Sequence, residues 1–172
     1  NLRGSLLNST DLRNADLTGA LYDEGAMSNS FWNNAIGIKH ENLTFTELHN
    51  AGSEAVSMKS FPKAKYFFSL AIKKRPKDPE SYLALAFTNL QLGEIQESIF
   101  NLNNAKRNYT LPKDEVIVSE ITMLIDFLLT KPRKKIYGNG LGTKLLNTAI
   151  SSLSIFTKPL FSLPKPKLSI SY

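Results

Sequence analysis

Two stretches of this chain, offset by about 34 residues, carry the same order of small and large residues, and that duplication limits the folds open to it. Leu48, Ala51, Gly52, Ala55, Ala64, Phe68, Ala71 and Pro76 fall over Tyr82, Leu85, Ala86, Asn89, Ser98, Leu102, Ala105 and Thr110. Gly52, Ala64 and Ala71 are small where two helices must approach closely, and Pro76 stops the second helix of the first copy. Asp78-Pro79-Glu80 opens the next copy with an N-cap residue followed by proline at the first helical position. Leu92-Gly93-Glu94 then makes the turn between helices that Met58-Lys59-Ser60 makes in the first copy. The pattern predicts two helical hairpins, with helices ending near Lys59, then over 62–75, 79–91 and 94–107.

With this period and these small positions, residues 46–111 resemble two tetratricopeptide (TPR) repeats. Asn89 and Thr110 depart from the aromatic residue and the proline usual in that family. The resemblance implies a helical solenoid that docks peptides or subunits. Its concave positions fall on Thr46, His49, Ser53, Val56 and Ser57, then on Glu80, Leu83, Phe87, Leu90 and Gln91. The subclass that captures a C-terminal carboxylate needs Lys, Asn and Arg on this surface, and they are absent, which argues for an apolar ligand.

Residues 1–37 follow a different rule, a period of five. Leu2, Leu7, Leu12, Leu17, Tyr22, Met27 and Trp32 recur at that spacing, each preceded two positions before the next centre by a small residue such as Ser5, Ala15 or Gly25. That period fits neither a helix nor a strand. It fits a square solenoid with one pentapeptide per side, and it resembles the pentapeptide-repeat family. The resemblance implies the end of a longer right-handed β-solenoid, with Phe31 and Trp32 as apolar caps over its last rung. The start at Asn1, within a repeat and without methionine, likewise reads as part of a longer protein.

The expected fold is therefore a mixed repeat protein, β-solenoid coils followed by a helical TPR solenoid with capping helices. Residues 38–45 form the linker, which is apolar enough to make the two regions one rigid body, and Thr44 or Thr46 caps the first helix. A further helix, within 112–130, opens at Asp114 and carries Val116, Ile117, Ile121, Leu124, Ile125, Leu128 and Leu129, so that it is buried on more than one side. Residues 131–140 are a basic, glycine-containing loop with Lys131, Arg133, Lys134 and Lys135. Residues 141–157 suit an amphipathic helix with Leu141, Leu145, Leu146, Ala149, Ile150, Leu153 and Phe156 on one side. Residues 158–172, with three prolines, are extended.

Chemistry is sparse. There is no cysteine, so thiolate metal sites and disulfides are excluded, and no apolar run reaches the ~18 residues of an ordinary membrane span. His40 and His49 are not at ligand spacing. Gly138 to Lys144 lacks the spacing of a phosphate-binding loop, and Glu120 and Asp126 sit on the exposed edge of an apolar helix. No nucleophile is arranged beside a base. The reading is a protein without enzymatic activity and without a cofactor.

Charge is split. Residues 1–58 hold three basic and seven acidic residues, and the remainder eighteen basic and eight acidic. Three binding functions follow. The first is a protein-interaction scaffold, cytoplasmic or peripheral to a membrane, whose partner enters an exposed apolar groove of Leu83, Phe87, Leu90, Ile117, Ile121 and Leu124. The helix at 141–157 has a matching face for the same groove. The second is a peripheral subunit or assembly factor held to an anionic membrane by Lys131, Arg133, Lys134 and Lys135. The combination of the two repeat types is shared with many cyanobacterial proteins, which implies a thylakoid photosynthetic complex as one setting. The third, mimicry of nucleic acid by a pentapeptide solenoid, is disfavoured by a short and mildly acidic coil. Nucleic-acid binding by the basic half is disfavoured because aromatic residues do not interleave with the lysines.

Overall fold

In the computed structural model, residues 1–7, 9–27, 30–32 and 34–130 are described. The expected basic loop, the helix at 141–157 and the tail at 158–172 lie outside the described residues.

The duplication folds as two antiparallel helix pairs. Helix α1, Phe45–Ser57, starts where Thr44 and Glu47 form a reciprocal cap: the Glu47 amide donates to the Thr44 hydroxyl, and the Glu47 carboxylate accepts from the Thr44 amide at 2.7 Å. The chain then turns at Lys59, which takes a positive φ, into α2, Phe61–Lys74. Asp78 caps α3, Pro79–Gln91, by accepting from the Ser81 amide at 2.8 Å, and Pro79 supplies the first helical position. Gly93 makes the next turn with φ +76°, and α4 runs Ile95–Asn108. A short 3-10 turn, Pro112–Asp114, leads to α5, Glu115–Thr130. The result is a repeat-like helical arrangement in which each helix packs against the next.

The small residues do the work the duplication assigned them. A Cβ on Gly52 would lie 2.6 Å from the Phe68 ring, so only glycine lets α1 sit this close to α2. Ala64, Ala71, Ala86, Ser98 and Ala105 are fully buried at the matching positions. Phe68, Leu83, Leu90, Leu102, Ile121 and their neighbours form one core cluster through α1 to α5. Each large side chain there contributes roughly 1.5–3 kcal/mol by leaving water.

The expected β-solenoid is corrected. The described residues contain helices and turns but no strand or sheet, and those among the first 38 show only two isolated parallel bridges, Asp11 to Phe31 and Asp16 to Ile36. The physical reason is the density of turns. Gly4, Ser9, Asn14, Gly19 and Asn34 all take positive φ, so a reversal falls every five residues and leaves no run long enough for a strand. Backbone bonds still tie this region together at long range. The amides of Leu2, Leu7, Leu12 and Leu17 donate to the carbonyls of Leu21, Ala26, Phe31 and Ile36 at 2.7–2.9 Å.

The capping role expected of Phe31 is also corrected: its ring is exposed, with the Arg13 guanidinium 6.0 Å from its centroid. Trp32 instead turns toward the helices and meets Phe67 edge-on, centroids 6.0 Å apart.

A second core cluster spans the junction. Leu17, Tyr22, Ala26 and Met27 are buried together with Leu43, Leu48, Ala51, Phe67 and Ala71. The Asn42 amide group donates to the Tyr22 carbonyl at 2.8 Å, and Lys74 pairs with Glu24 at 2.8 Å.

Candidate interaction surface

Leu83, Phe87 and Leu90 on α3, and Ile117, Ile121 and Leu124 on α5, do come together, but as buried members of the core cluster. They therefore line no exposed strip, because helical-spaced apolar residues cannot by themselves say whether a neighbour covers them. Of the other concave positions, His49 and Val56 are buried, Ser53, Glu80 and Gln91 are half-buried, and only Thr46 and Ser57 are exposed. The basic patch of Lys131, Arg133, Lys134 and Lys135 lies outside the described residues.

Polar groups on this side of the helices hold the scaffold together. The Tyr109 hydroxyl donates to Glu80 Oε1 at 2.9 Å, linking the end of α4 to the start of α3. Burial, followed by the Glu80 charge, pushes the Tyr109 phenol well above its usual range. Arg75, at the end of α2, lies over the Phe45 ring at 4.3 Å and borders an open depression of about 550 Å³ that Pro76, Lys77, Asp78 and Pro79 complete. Among the described residues, no group of three His, Cys, Asp or Glu side chains comes together as a metal site.

The exposed apolar surface lies elsewhere. On α5, Ile117, Ile121, Leu124, Ile125 and Leu128 face inward along one stripe, so the helix is not buried on more than one side as its composition suggested. Val116 is 62% exposed and Met123 66% exposed, seven residues apart and hence on one outer face. Phe100, on the outside of α4, is equally exposed. Met123 and Phe100 were not singled out from the sequence, and Val116 and Leu129, expected in the buried set of this helix, are exposed. The signal was present in the offset of Val116 and Met123 from the inward set, but an apolar residue on a solvent face looks like any other until burial is known.

Comparison with known protein families, curated proteins and solved structures finds no match to this chain. No helix among the described residues is long and apolar enough to cross a membrane.

Proposed function

We propose that the chain is a non-enzymatic interaction scaffold, with two tetratricopeptide-type repeats at 46–111 and a protein partner docked on the outer face of α5. The observation that carries this reading is the pair Val116 and Met123. Two large apolar side chains, held at one helical face and left in solvent, gain by being covered. The repeat reading is supported by the coincidence of buried small residues at the 34-residue offset, Gly52 with Ala86, Ala64 with Ser98 and Ala71 with Ala105. The partner surface moves from the buried groove to this face.

The test is a pull-down with the intact chain and with a Val116→Asp, Met123→Asp double variant. Both sites are exposed, so the variant keeps its thermal midpoint. A partner held by the wild type and released by the variant supports the reading. The same partners recovered from both would overturn it.

A second reading, peripheral attachment to an anionic membrane, rests on residues 131–172, which carry eight basic residues and no acidic one. A thylakoid setting belongs to this reading. Flotation with vesicles containing an anionic phospholipid, with and without 131–172, separates it from protein docking.

A further inference from the structure

The chain has two histidines in its whole length, and both are seated on one aromatic run of α2, Tyr66-Phe67-Phe68. His40, in the 3-10 turn His40–Asn42 at the junction, meets Tyr66 and Phe67 edge-on with centroids 5.4 and 5.2 Å away. Its Nδ1 lies 2.9 Å from the Tyr66 hydroxyl and shares a hydrogen bond with it. His49, on α1, meets Phe68 edge-on at 5.4 Å and lies beside Phe45 at 5.8 Å. The His49 ring is buried, and its Nε2 has no hydrogen-bond partner. A buried imidazole with an unpartnered nitrogen between two phenyl rings is comfortable only while uncharged.

We propose that His40 and His49 form an acid-sensitive latch that holds the junction turn and α1 against α2 while both rings are neutral. Protonation would place one charge in an apolar seat between Phe45 and Phe68 and a second against Phe67. It would not touch the contact between α3 and α4, where no histidine sits. The release is therefore local, and it would separate the first 38 residues from the helices by loosening the segment that joins them.

The surrounding charges oppose one another without removing the effect. Asp78 and Glu80, at the start of α3, favour the charged form of His49, while Arg75 from the end of α2 lies over neighbouring Phe45. Glu41 favours the charged form of His40, and Lys63 of α2 disfavours it. Burial is the largest influence at both rings and pulls both below the ordinary histidine range. A histidine with a depressed folded value contributes fully above the unfolded value of about 6.5, and its contribution is lost as pH falls from there toward the folded value.

The composition makes the test clean. With two histidines and no cysteine, imidazole is the side chain whose ordinary value falls between pH 5 and 7.5. The intact chain should lose about 2–5 °C of thermal midpoint between pH 7.5 and 5. The His40→Phe, His49→Phe double variant should stay level across that range. Amide protection, taken relative to the intrinsic exchange rate at each pH, should fall about tenfold in the junction turn and α1 at the lower pH, with α3 and α4 keeping theirs. Proton resonance titration of the two rings in the wild type needs no variant to fold, and both should titrate below 6.5. Titration of both rings at or above that value would overturn the latch, as would an acid loss undiminished in the double variant or a loss of protection spread evenly over all helices.

Discussion

The first 38 residues and the helices after them solve the same problem of order with different means. In the helices, one core cluster runs through five elements, with side chains such as Phe68, Leu102 and Ile121 wholly out of water. In the first region Leu2, Leu7 and Leu12 are only half-buried, and order comes from backbone bonds repeated once per five residues. A helix closes its own hydrogen bonds and can spend its side chains on packing. A chain that turns every five residues closes only a short turn bond in each unit, such as Ser5 to Leu2, and its other backbone bonds depend on partners about twenty residues away. The region is completed by leaning on α2 through the cluster that Met27, Leu43 and Phe67 share.

The largest expected effect comes from deleting a side chain in the deeper core. Phe68→Ala should cost about 3–5 kcal/mol by denaturant unfolding, and Leu2→Ala only about 1 kcal/mol, since Leu2 is half-buried. Equal losses would erase the distinction between the regions.

Two glycines sharpen the contrast within the first region. Gly37 and Gly19 have nearly the same positive φ, +74° and +75°. A Cβ on Gly37 would lie 2.3 Å from the Thr18 backbone nitrogen, whereas one on Gly19 meets nothing within 4 Å. Gly37→Ala should therefore cost about 3 kcal/mol, and Gly19→Ala about 1–2 kcal/mol from the left-handed conformation alone. Matching thermal shifts for the two variants would mean that close stacking does not hold this region.

At the joint, Thr44→Ala removes the cap of α1 and should cost about 1 kcal/mol, measured by thermal unfolding. The smallest effect is at the surface of the first region. The Arg13 side chain bonds Asp11 at 2.6 Å and holds its carboxyl at about 2. A lowered carboxylate favours the fold above its ordinary value of 3.8 and loses that benefit as pH falls toward about 2, but the pair is fully in solvent. Asp11→Asn should leave the unfolding midpoint at neutral pH unchanged.

The helix pairs were legible because small residues, N-caps and turns repeat at a fixed offset, and each has a local physical meaning. Asp78 before Pro79 and Gly93 between helices act where the sequence put them. The five-residue rhythm was legible too, but its reading as strands was not sound. The rhythm of Leu2, Leu7 and Leu12 shows which residues gather inside. It leaves open whether Gly4, Ser9 and Asn14 turn the backbone too often for strands to form. The groove failed for another reason. Leu83 and Ile121 sit on helical stripes that look alike whether covered or open, and coverage is a tertiary fact.

The account rests on the junction, where the first region and the helices share one core. Trp32, the single tryptophan, sits there against Phe67 and reports on the joint by fluorescence, while far-ultraviolet circular dichroism reports on the helices. Denaturant unfolding of the intact chain, followed by both signals on one sample, should give coincident transitions with one midpoint. A fluorescence transition complete before the helical signal begins to fall would contradict the shared core.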